Sequence, residues 1–176
     1  MKKSNYDRIV LIGFRGAGKS TLGILLSQRL GWDYISTDSQ LEQQHHKTIA
    51  ELVQESGWKK FREAEREIIK SLRNTIEAVI DCGGGIIEDP WNMKLLESHS
   101  LIIWVDADLN DLMERIQNDR IERPLLTQKD MLADIRENYQ RRRPLYDKYA
   151  DFSVNSSHNS PEQLYQLIQK KLRDTP

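Results

Sequence analysis

The chain has 176 residues, of which 38% are hydrophobic and 30% are charged, which is typical of one globular domain that folds without a metal or a disulfide. Its 26 lysine and arginine residues nearly match its 27 aspartate and glutamate residues, which excludes binding of nucleic acid or a membrane surface through bulk positive charge. The single cysteine excludes an intrachain disulfide, and no apolar run is long enough for a membrane span or a signal peptide. We therefore expect a cytoplasmic protein and, because no apolar stripe requires a partner, a monomer.

Short runs of β-branched and apolar residues alternate with longer runs that have helical spacing. The predicted strands are residues 8–12, 32–36, 78–82, 101–105 and 152–154. The predicted helices are residues 19–30, 39–71 with interruptions at Thr48 and Ser56-Gly57, a short one opened by Asp89-Pro90, 109–117, 130–143 ending at Pro144, and 161–173. This alternation favours right-handed βαβ crossovers. We therefore predict one α/β domain over residues 1–176, with a five-stranded parallel sheet between two helical layers.

A glycine-rich segment joins the first predicted strand to the first predicted helix. Residues 13–20 read GFRGAGKS and match the pattern G-x-x-x-x-G-K-[ST]. The backbone N–H groups of such a loop surround a phosphate, its lysine reaches the β- and γ-phosphates, and its serine hydroxyl binds Mg²⁺. The segment therefore predicts a nucleoside triphosphate site formed by Gly13, Arg15, Gly16, Ala17, Gly18, Lys19, Ser20 and Thr21.

Two further features follow strands at the carboxyl edge of the predicted sheet, where α/β proteins bind their ligands. Asp38 follows the second strand and is a candidate acceptor for the proton of an attacking hydroxyl, with capping of the next helix as the alternative. Three consecutive glycines follow the third strand, and such a run favours a turn that a ligand approaches closely. These glycines are Gly83, Gly84 and Gly85.

Several arginines are candidates for contacts with anions. Arg62 lies on a predicted helix and is suited to a bidentate contact with a carboxylate, whereas a surface ion pair is the alternative. Arg120 and Arg123 lie in a polar loop at 118–129, which predicts either a lid over phosphates or a solvated loop. The three arginines at 141–143 precede a predicted helix end, and the helix dipole accounts for one such cation but not for three. We expect at least one of them to have an anionic partner.

Six segments, in order over nearly the whole chain, resemble the motifs of the shikimate kinase family. They are GFRGAGKS at 13–20, TD at 37–38, FREAE at 61–65, GGG at 83–85, RPLL at 123–126 and RRPLY at 142–146. The resemblance implies transfer of the γ-phosphoryl group of ATP to the 3-hydroxyl of shikimate with Mg²⁺, a step of aromatic amino-acid biosynthesis. It also implies a three-layer P-loop kinase fold of the nucleoside monophosphate kinase type.

Roles in binding the acceptor are implied by position in this family. Asp38 corresponds to the aspartate that holds the shikimate hydroxyls and takes the proton. Arg62 and Arg142 correspond to the arginines that bind the shikimate carboxylate. Arg62 lies in a substrate-binding segment at about 38–75, and Arg142 lies outside that segment. The implied acceptor site is completed by Phe61, Gly83, Gly84 and Gly85.

The resemblance also implies roles around ATP. Lys19 and Arg123 correspond to catalytic cations, and Arg123 would meet the ATP phosphates from the lid loop at 118–129. Arg115 corresponds to an arginine near the adenine.

One departure from the family pattern concerns the metal. The family usually has Asp-x-Asp after the second strand, whereas this chain has Ser36-Thr37-Asp38. We expect Ser20 to bind Mg²⁺ directly and Ser36 to act through a water. Asp81, at the end of the third strand, is an alternative source of the missing carboxylate, and a purely structural role is its other interpretation.

Two other functions share the same fold. One is a P-loop kinase of another small hydroxy acid, such as gluconate, or of a nucleotide. The other is a nucleotide-binding regulatory module whose catalysis is impaired by Ser36. Retention of Lys19, Asp38, Arg62, Arg123 and Arg142 argues against the second.

Overall fold

The computed structural model describes residues 6–119 and 131–174. Five parallel strands form one sheet in the order β2-β3-β1-β4-β5. The strands are β1 (Arg8–Ile12), β2 (Asp33–Ser36), β3 (Ala78–Asp81), β4 (Ser100–Asp106) and β5 (Phe152–Asn155). The helices are α1 (Lys19–Leu30), α2 (Thr37–His45), α3 (Ile49–Ser71), α4 (Pro90–Glu97), α5 (Leu109–Asn118), α6 (Met131–Tyr149) and α7 (Pro161–Asp174). The predicted α/β fold with five parallel strands is confirmed.

The centre of the sheet is the main hydrophobic core. Every residue of β1 is buried, and so is every residue of β3. Strands buried on both faces need apolar side chains on both faces, which is why β1 and β4 are continuous rather than alternating apolar runs. Because β2, β3 and β1 are parallel neighbours in the sheet, the loops that follow these three strands meet at one edge of the sheet. No described helix is both long and apolar enough to cross a membrane.

A buried arginine closes the opposite edge of the sheet. Arg8, at the start of β1, is 2% exposed, and its Nε donates to Ser100 Oγ at 2.7 Å. Its two terminal nitrogens donate to backbone carbonyls near the ends of α3 and α4, namely those of Leu72 (2.5 Å), Arg73 (3.2 Å), Leu95 (2.9 Å) and Ser98 (3.2 Å). The last carbonyls of a helix have no partner within it, so one guanidinium here satisfies the ends of two helices.

Capping side chains set the starts of α2 and α3. Ser36 Oγ accepts a hydrogen bond from Ser39 N at 3.2 Å, so α2 begins at Thr37, two residues earlier than predicted. The alternative that Asp38 caps this helix is wrong, because Ser36 is the cap. The predicted interruptions are confirmed: Thr48 begins α3 with a capping box, and Gly57 kinks α3 with φ 78° and ψ 164°.

The prediction that a helix ends at Pro144 is wrong. Helix α6 continues through this proline to Tyr149. A proline inside a helix removes one backbone hydrogen bond, so other contacts must hold the following turn in place. Tyr146 supplies them, since it is fully buried, stacks on Trp104 with ring centroids 5.8 Å apart and donates to Gly84 O at 2.5 Å. The three arginines at 141–143 therefore lie inside the helix, and the helix-end explanation for them is also wrong.

Candidate active site

The glycine-rich loop joins β1 to α1 and lines an open space at the carboxyl edge of the sheet. A Cβ on Gly13 would overlap the carbonyl oxygen of Val105, so only glycine fits at that position. Gly18 has a left-handed conformation (φ 88°, ψ 16°) and precedes the first turn of α1. The N-terminal N–H groups of this helix therefore face the loop, which is the arrangement that binds phosphate.

Lys19 lies within this loop and is 9% exposed. Its Nζ donates to the carbonyls of Gly13 at 3.0 Å and Phe14 at 3.1 Å. These two bonds hold the ammonium group against the loop, where a bound triphosphate would meet it.

The P-loop serine contacts a buried carboxylate. Ser20 Oγ donates to Asp81 Oδ2 at 2.7 Å, and Tyr34 OH donates to the same oxygen at 2.9 Å. Burial and the negative charge of Asp81 both raise the pKa of Tyr34, so this hydroxyl stays a proton donor. Asp81 is 5% exposed. The structure thus places an acidic side chain beside Ser20, at the end of β3.

The three glycines after β3 make room for the predicted acceptor residues. Gly83 N donates to Thr37 Oγ1 at 3.0 Å, which ties this turn to the start of α2. A Cβ on Gly83 would lie 2.5 Å from Asp38 Oδ1, and a Cβ on Gly85 would overlap the Arg62 guanidinium. The turn therefore brings Asp38 and Arg62 to the same place because it has no side chains of its own.

A solvent-open cleft lies against this turn. Its walls come from the P-loop, α2, both parts of α3, the glycine turn and α6. The lining residues are Phe14, Arg15, Asp38, Ile49, Trp58, Phe61, Arg62, Glu65, Gly83, Gly84, Gly85, Asp134, Asn138 and Arg142. The cleft thus contains every residue of the predicted acceptor site.

Arg62 is held by a buried carboxylate rather than by a surface ion pair. Its Nη1 donates to both carboxylate oxygens of Glu65, at 3.0 and 2.8 Å, and the Glu65 side chain is 1% exposed. Burial raises the pKa of Glu65, and the charge of Arg62 opposes that rise. The guanidinium also lies over the rings of Trp58 and Phe61, with its carbon 5.6 and 5.3 Å from their centroids. These contacts fix its direction towards the cleft.

Arg142 is the one arginine of residues 141–143 that is buried and lines the cleft; Arg141 and Arg143 are exposed. Its Nε donates to Glu88 Oε1 at 3.0 Å. Among the described residues, its two terminal nitrogens have no hydrogen-bond partner, so a guanidinium that is 7% exposed keeps two donor groups open to the cleft. Such a fork fits a planar carboxylate.

Glu88 joins these arginines from the 3₁₀ turn Ile86–Glu88. It contacts Arg141 Nη1 at 2.6 Å and Arg62 Nη2 at 3.3 Å in addition to Arg142. Burial alone would raise the pKa of Glu88, but the hydrogen bond from Arg142 and the three positive charges outweigh it and lower the pKa. Glu88 therefore carries its charge at neutral pH and orients the arginines.

Arg115 lies on the other side of the P-loop. Its Nη1 donates to Gly16 O at 3.1 Å and to Ser156 Oγ at 2.8 Å, which joins α5, the P-loop and the segment after β5. A Cβ on Gly16 would lie 3.2 Å from Ile116, so α5 packs closely on the loop. Thus Arg115 borders the triphosphate site.

Some predicted residues lie outside the part of the chain that the structure describes. These are Arg120 and Arg123, with most of the proposed lid at 118–129.

Ser36, predicted to act on the metal through water, has its hydroxyl engaged in capping α2.

Several residues at the site were missed by sequence reasoning. Glu88 and Asn138 line or border the cleft without any motif to indicate them, and Tyr146 was noted only as the end of RRPLY. Spacing offered one signal, because Asn138 and Arg142 are four residues apart and share a helix face.

Comparison with known proteins decides the family. The family model described as "Shikimate kinase" matches residues 15–173. The chain belongs to the shikimate kinase family. "Shikimate kinase" of Macrococcus caseolyticus is 40% identical over 147 residues, which are 84% of this chain and 86% of that protein. "Shikimate kinase" of Persephonella marina is 33% identical over 165 residues, which are 94% of this chain and 98% of that protein.

Solved structures of shikimate kinases agree with this assignment. Shikimate kinase from Acinetobacter baumannii in complex with shikimate has a TM-score of 0.89 at 25% identity, and the match covers 97% of this chain and 94% of that one. Shikimate kinase from Aquifex aeolicus has a TM-score of 0.81 at 31% identity, with 94% and 96% covered. The expected P-loop kinase fold is confirmed, and so is the expectation of a kinase of the shikimate kinase family that uses ATP and Mg²⁺.

Proposed function

We propose that this member of the shikimate kinase family transfers the γ-phosphoryl group of ATP to the 3-hydroxyl of shikimate, giving shikimate 3-phosphate and ADP. The observation that carries the proposal is the cleft beside the P-loop, where Asp38, Arg62 and Arg142 line one space. Two guanidinium groups suit a carboxylate, and one carboxylate suits the hydroxyls of the same small ring. Neither gluconate phosphorylation nor a purely regulatory role is favoured.

The chain's own residues divide the work of acceptor binding. The terminal nitrogens of Arg142 and the Arg62 guanidinium, held by Glu65, bind the acceptor carboxylate. Asp38 accepts a hydrogen bond from the attacking hydroxyl and takes its proton as the new O–P bond forms, while the bond from the γ-phosphorus to the β–γ bridging oxygen breaks and ADP leaves. Phe61 and Trp58 form an apolar wall, with ring centroids 5.6 Å apart in an edge-to-face contact. Acceptor binding beside the P-loop places the hydroxyl near the γ-phosphate, which supplies much of the rate acceleration.

The phosphate side is built from the backbone of the glycine-rich loop, Lys19 and Ser20. The N–H groups of the loop and the Lys19 ammonium stabilise negative charge on the transferring phosphoryl group. When bound, Mg²⁺ would supply positive charge that offsets the negative charge of the triphosphate. The residues present fit this ion, because Ser20 and the buried Asp81 offer it hard oxygen atoms side by side. Arg115 at the adenine, Arg123 on a lid at 118–129, and a water-mediated role of Ser36 remain predictions.

Acceptor specificity tests the proposed function directly. We expect ADP release with saturating MgATP to depend on shikimate and to exceed the rates with gluconate or nucleoside monophosphates by orders of magnitude. Phosphorus NMR of the product is expected to show phosphate on the 3-hydroxyl. Turnover that prefers gluconate or a nucleotide, or that does not respond to shikimate, would contradict the proposal.

Two properties belong to the same proposal. We infer a cytoplasmic enzyme that acts as a monomer and binds no nucleic acid. The balanced charge supports the last point, since 26 basic residues face 27 acidic ones. The complete cleft supports the monomer, because residues of one chain supply the whole acceptor set.

A further inference from the structure

Asp81 is a buried acid that the acceptor chemistry does not use. It is the last residue of β3, is 5% exposed, and borders the space that Lys19 and Ser20 also line. Its Oδ2 accepts hydrogen bonds from Ser20 Oγ at 2.7 Å and from Tyr34 OH at 2.9 Å. Both donors are neutral hydroxyl groups.

A buried carboxylate with neutral donors is costly unless a cation compensates its charge. Among the described residues, Asp81 takes part in no ion pair. Its direct neighbour is the hydroxyl that, in a P-loop, binds the Mg²⁺ of the nucleotide. The carboxylate therefore lies where a divalent cation would arrive together with the triphosphate.

Ser36 is less suited to this task. It pairs with Asp81 in the register of β2 and β3, so the two side chains occupy neighbouring positions at the sheet edge. Its hydroxyl is uncharged and accepts the hydrogen bond from Ser39 N that caps α2. The negative charge at this edge is thus on β3 rather than on β2.

We propose that Asp81 is the carboxylate of the Mg²⁺ site that accompanies the triphosphate, with Ser20 as its hydroxyl and Tyr34 as the residue that positions Asp81. Among the described residues there is no cluster of three or more histidine, cysteine, aspartate or glutamate side chains suited to a metal. A single carboxylate is sufficient, because Mg²⁺ is commonly held by one or two carboxylates, water and the phosphates themselves. The inference rests on the proposed function only in that the chain binds MgATP.

Metal affinity of the nucleotide complex provides the test, without turnover. The dissociation constant of Mn²⁺ from the complex of chain and ATP is measured by electron paramagnetic resonance, with no acceptor present, and Mg²⁺ is then measured by competition. We expect Asp81→Asn to weaken both ions about 10- to 100-fold, the range for groups that support a bound metal. Affinity for ATP in EDTA should not fall, because the variant removes a negative charge near the phosphates.

Two variants serve as comparisons. Asp33→Asn removes the same charge from the other end of β2, where Asp33 pairs with Ala78, and should leave metal affinity within about twofold. Ser36→Ala should have a much smaller effect than Asp81→Asn. The proposal is overturned if Asp81→Asn binds metal like the unaltered chain, or if Ser36→Ala weakens metal binding as much.

A measurement on the unaltered chain covers the case in which Asp81→Asn does not fold. With Mn²⁺ and ATP bound, NMR signals of the Asp81 side chain should broaden strongly while those of Asp33 persist; equal persistence of both would overturn the proposal. Failure here is distinct from failure of the proposed function. A chain that binds metal through Asp81 but ignores shikimate would refute only the acceptor, and the reverse result would refute only the metal assignment.

Discussion

Replacing Arg142 with alanine is expected to raise the dissociation constant for shikimate about 10- to 100-fold, with the affinity for ATP nearly unchanged. The loss of a charged hydrogen-bond partner costs about 1.5–3 kcal/mol, which corresponds to this range. The guanidinium is 7% exposed, and its terminal nitrogens face the cleft. Its removal also leaves the charge of Glu88 less compensated beside an anionic acceptor. Both effects weaken the binding of shikimate.

The neighbouring arginine provides a matched control for this prediction. Arg141 contacts the same Glu88, but its side chain is 52% exposed and does not line the cleft. Titration calorimetry with shikimate should therefore give nearly the same affinity for Arg141→Ala as for the unaltered chain. The site assignment is wrong if the two variants lose shikimate affinity equally, or if Arg142→Ala loses ATP and keeps shikimate.

Replacing Arg8 with methionine is expected to cause the largest loss of fold stability of any single arginine substitution in the described part of the chain. Arg8 satisfies four backbone carbonyls and Ser100 Oγ in a buried position. Methionine fills a similar volume but donates no hydrogen bond. Leu72 O would keep only its bond from Thr75 N, and Ser98 O only its bond from Ser100 Oγ. The carbonyls of Arg73 and Leu95 would lose the donor that Arg8 gives them. We expect the free energy of unfolding to fall by about 3–5 kcal/mol and the Tm by roughly 6–20 °C.

An arginine in an exposed ion pair tests whether burial is the cause of the large stability loss expected for Arg8→Met. Arg29 contacts Glu162 at 2.9 Å, with both side chains about half exposed at 51% and 46%. Such pairs contribute at most about 1 kcal/mol, so Arg29→Met should shift the Tm by only a few degrees. Urea unfolding of both variants decides the matter: equal midpoints for Arg8→Met and Arg29→Met would show that the Arg8 network adds nothing to stability.

Local patterns were enough to predict the triphosphate site. The P-loop is one short segment, and its glycines, Lys19 and Ser20 act through the backbone and the first turn of one helix. The three glycines were also recognisable as a turn that other groups approach closely, because a run of residues without side chains leaves space. At Gly85 that space is occupied by the Arg62 guanidinium.

Residues that depend on contacts between distant segments were harder to predict. Choosing Arg142 over Arg141 or Arg143 from the residues alone requires the phase of α6, and Pro144 suggested that this helix ends there. The helix nevertheless continues past Pro144, because Tyr146 packs on Trp104 and donates a hydrogen bond to the carbonyl of Gly84. No motif marks Glu88 or Arg8, because a motif is a local pattern and their contacts are distant in the sequence. Glu88 is 54 positions from Arg142, and Arg8 is 92 positions from Ser100.

The most direct measurement compares shikimate with its methyl ester as ligands in titration calorimetry. The ester keeps the ring and the hydroxyls but lacks the charge that Arg62 and Arg142 are proposed to bind. We expect the unaltered chain to bind the acid about 10- to 100-fold more tightly than the ester, and the double variant Arg62→Ala/Arg142→Ala to bind the two alike. Equal affinities in the unaltered chain, or an acid preference that survives in the double variant, would contradict the arginine cleft as the acceptor site.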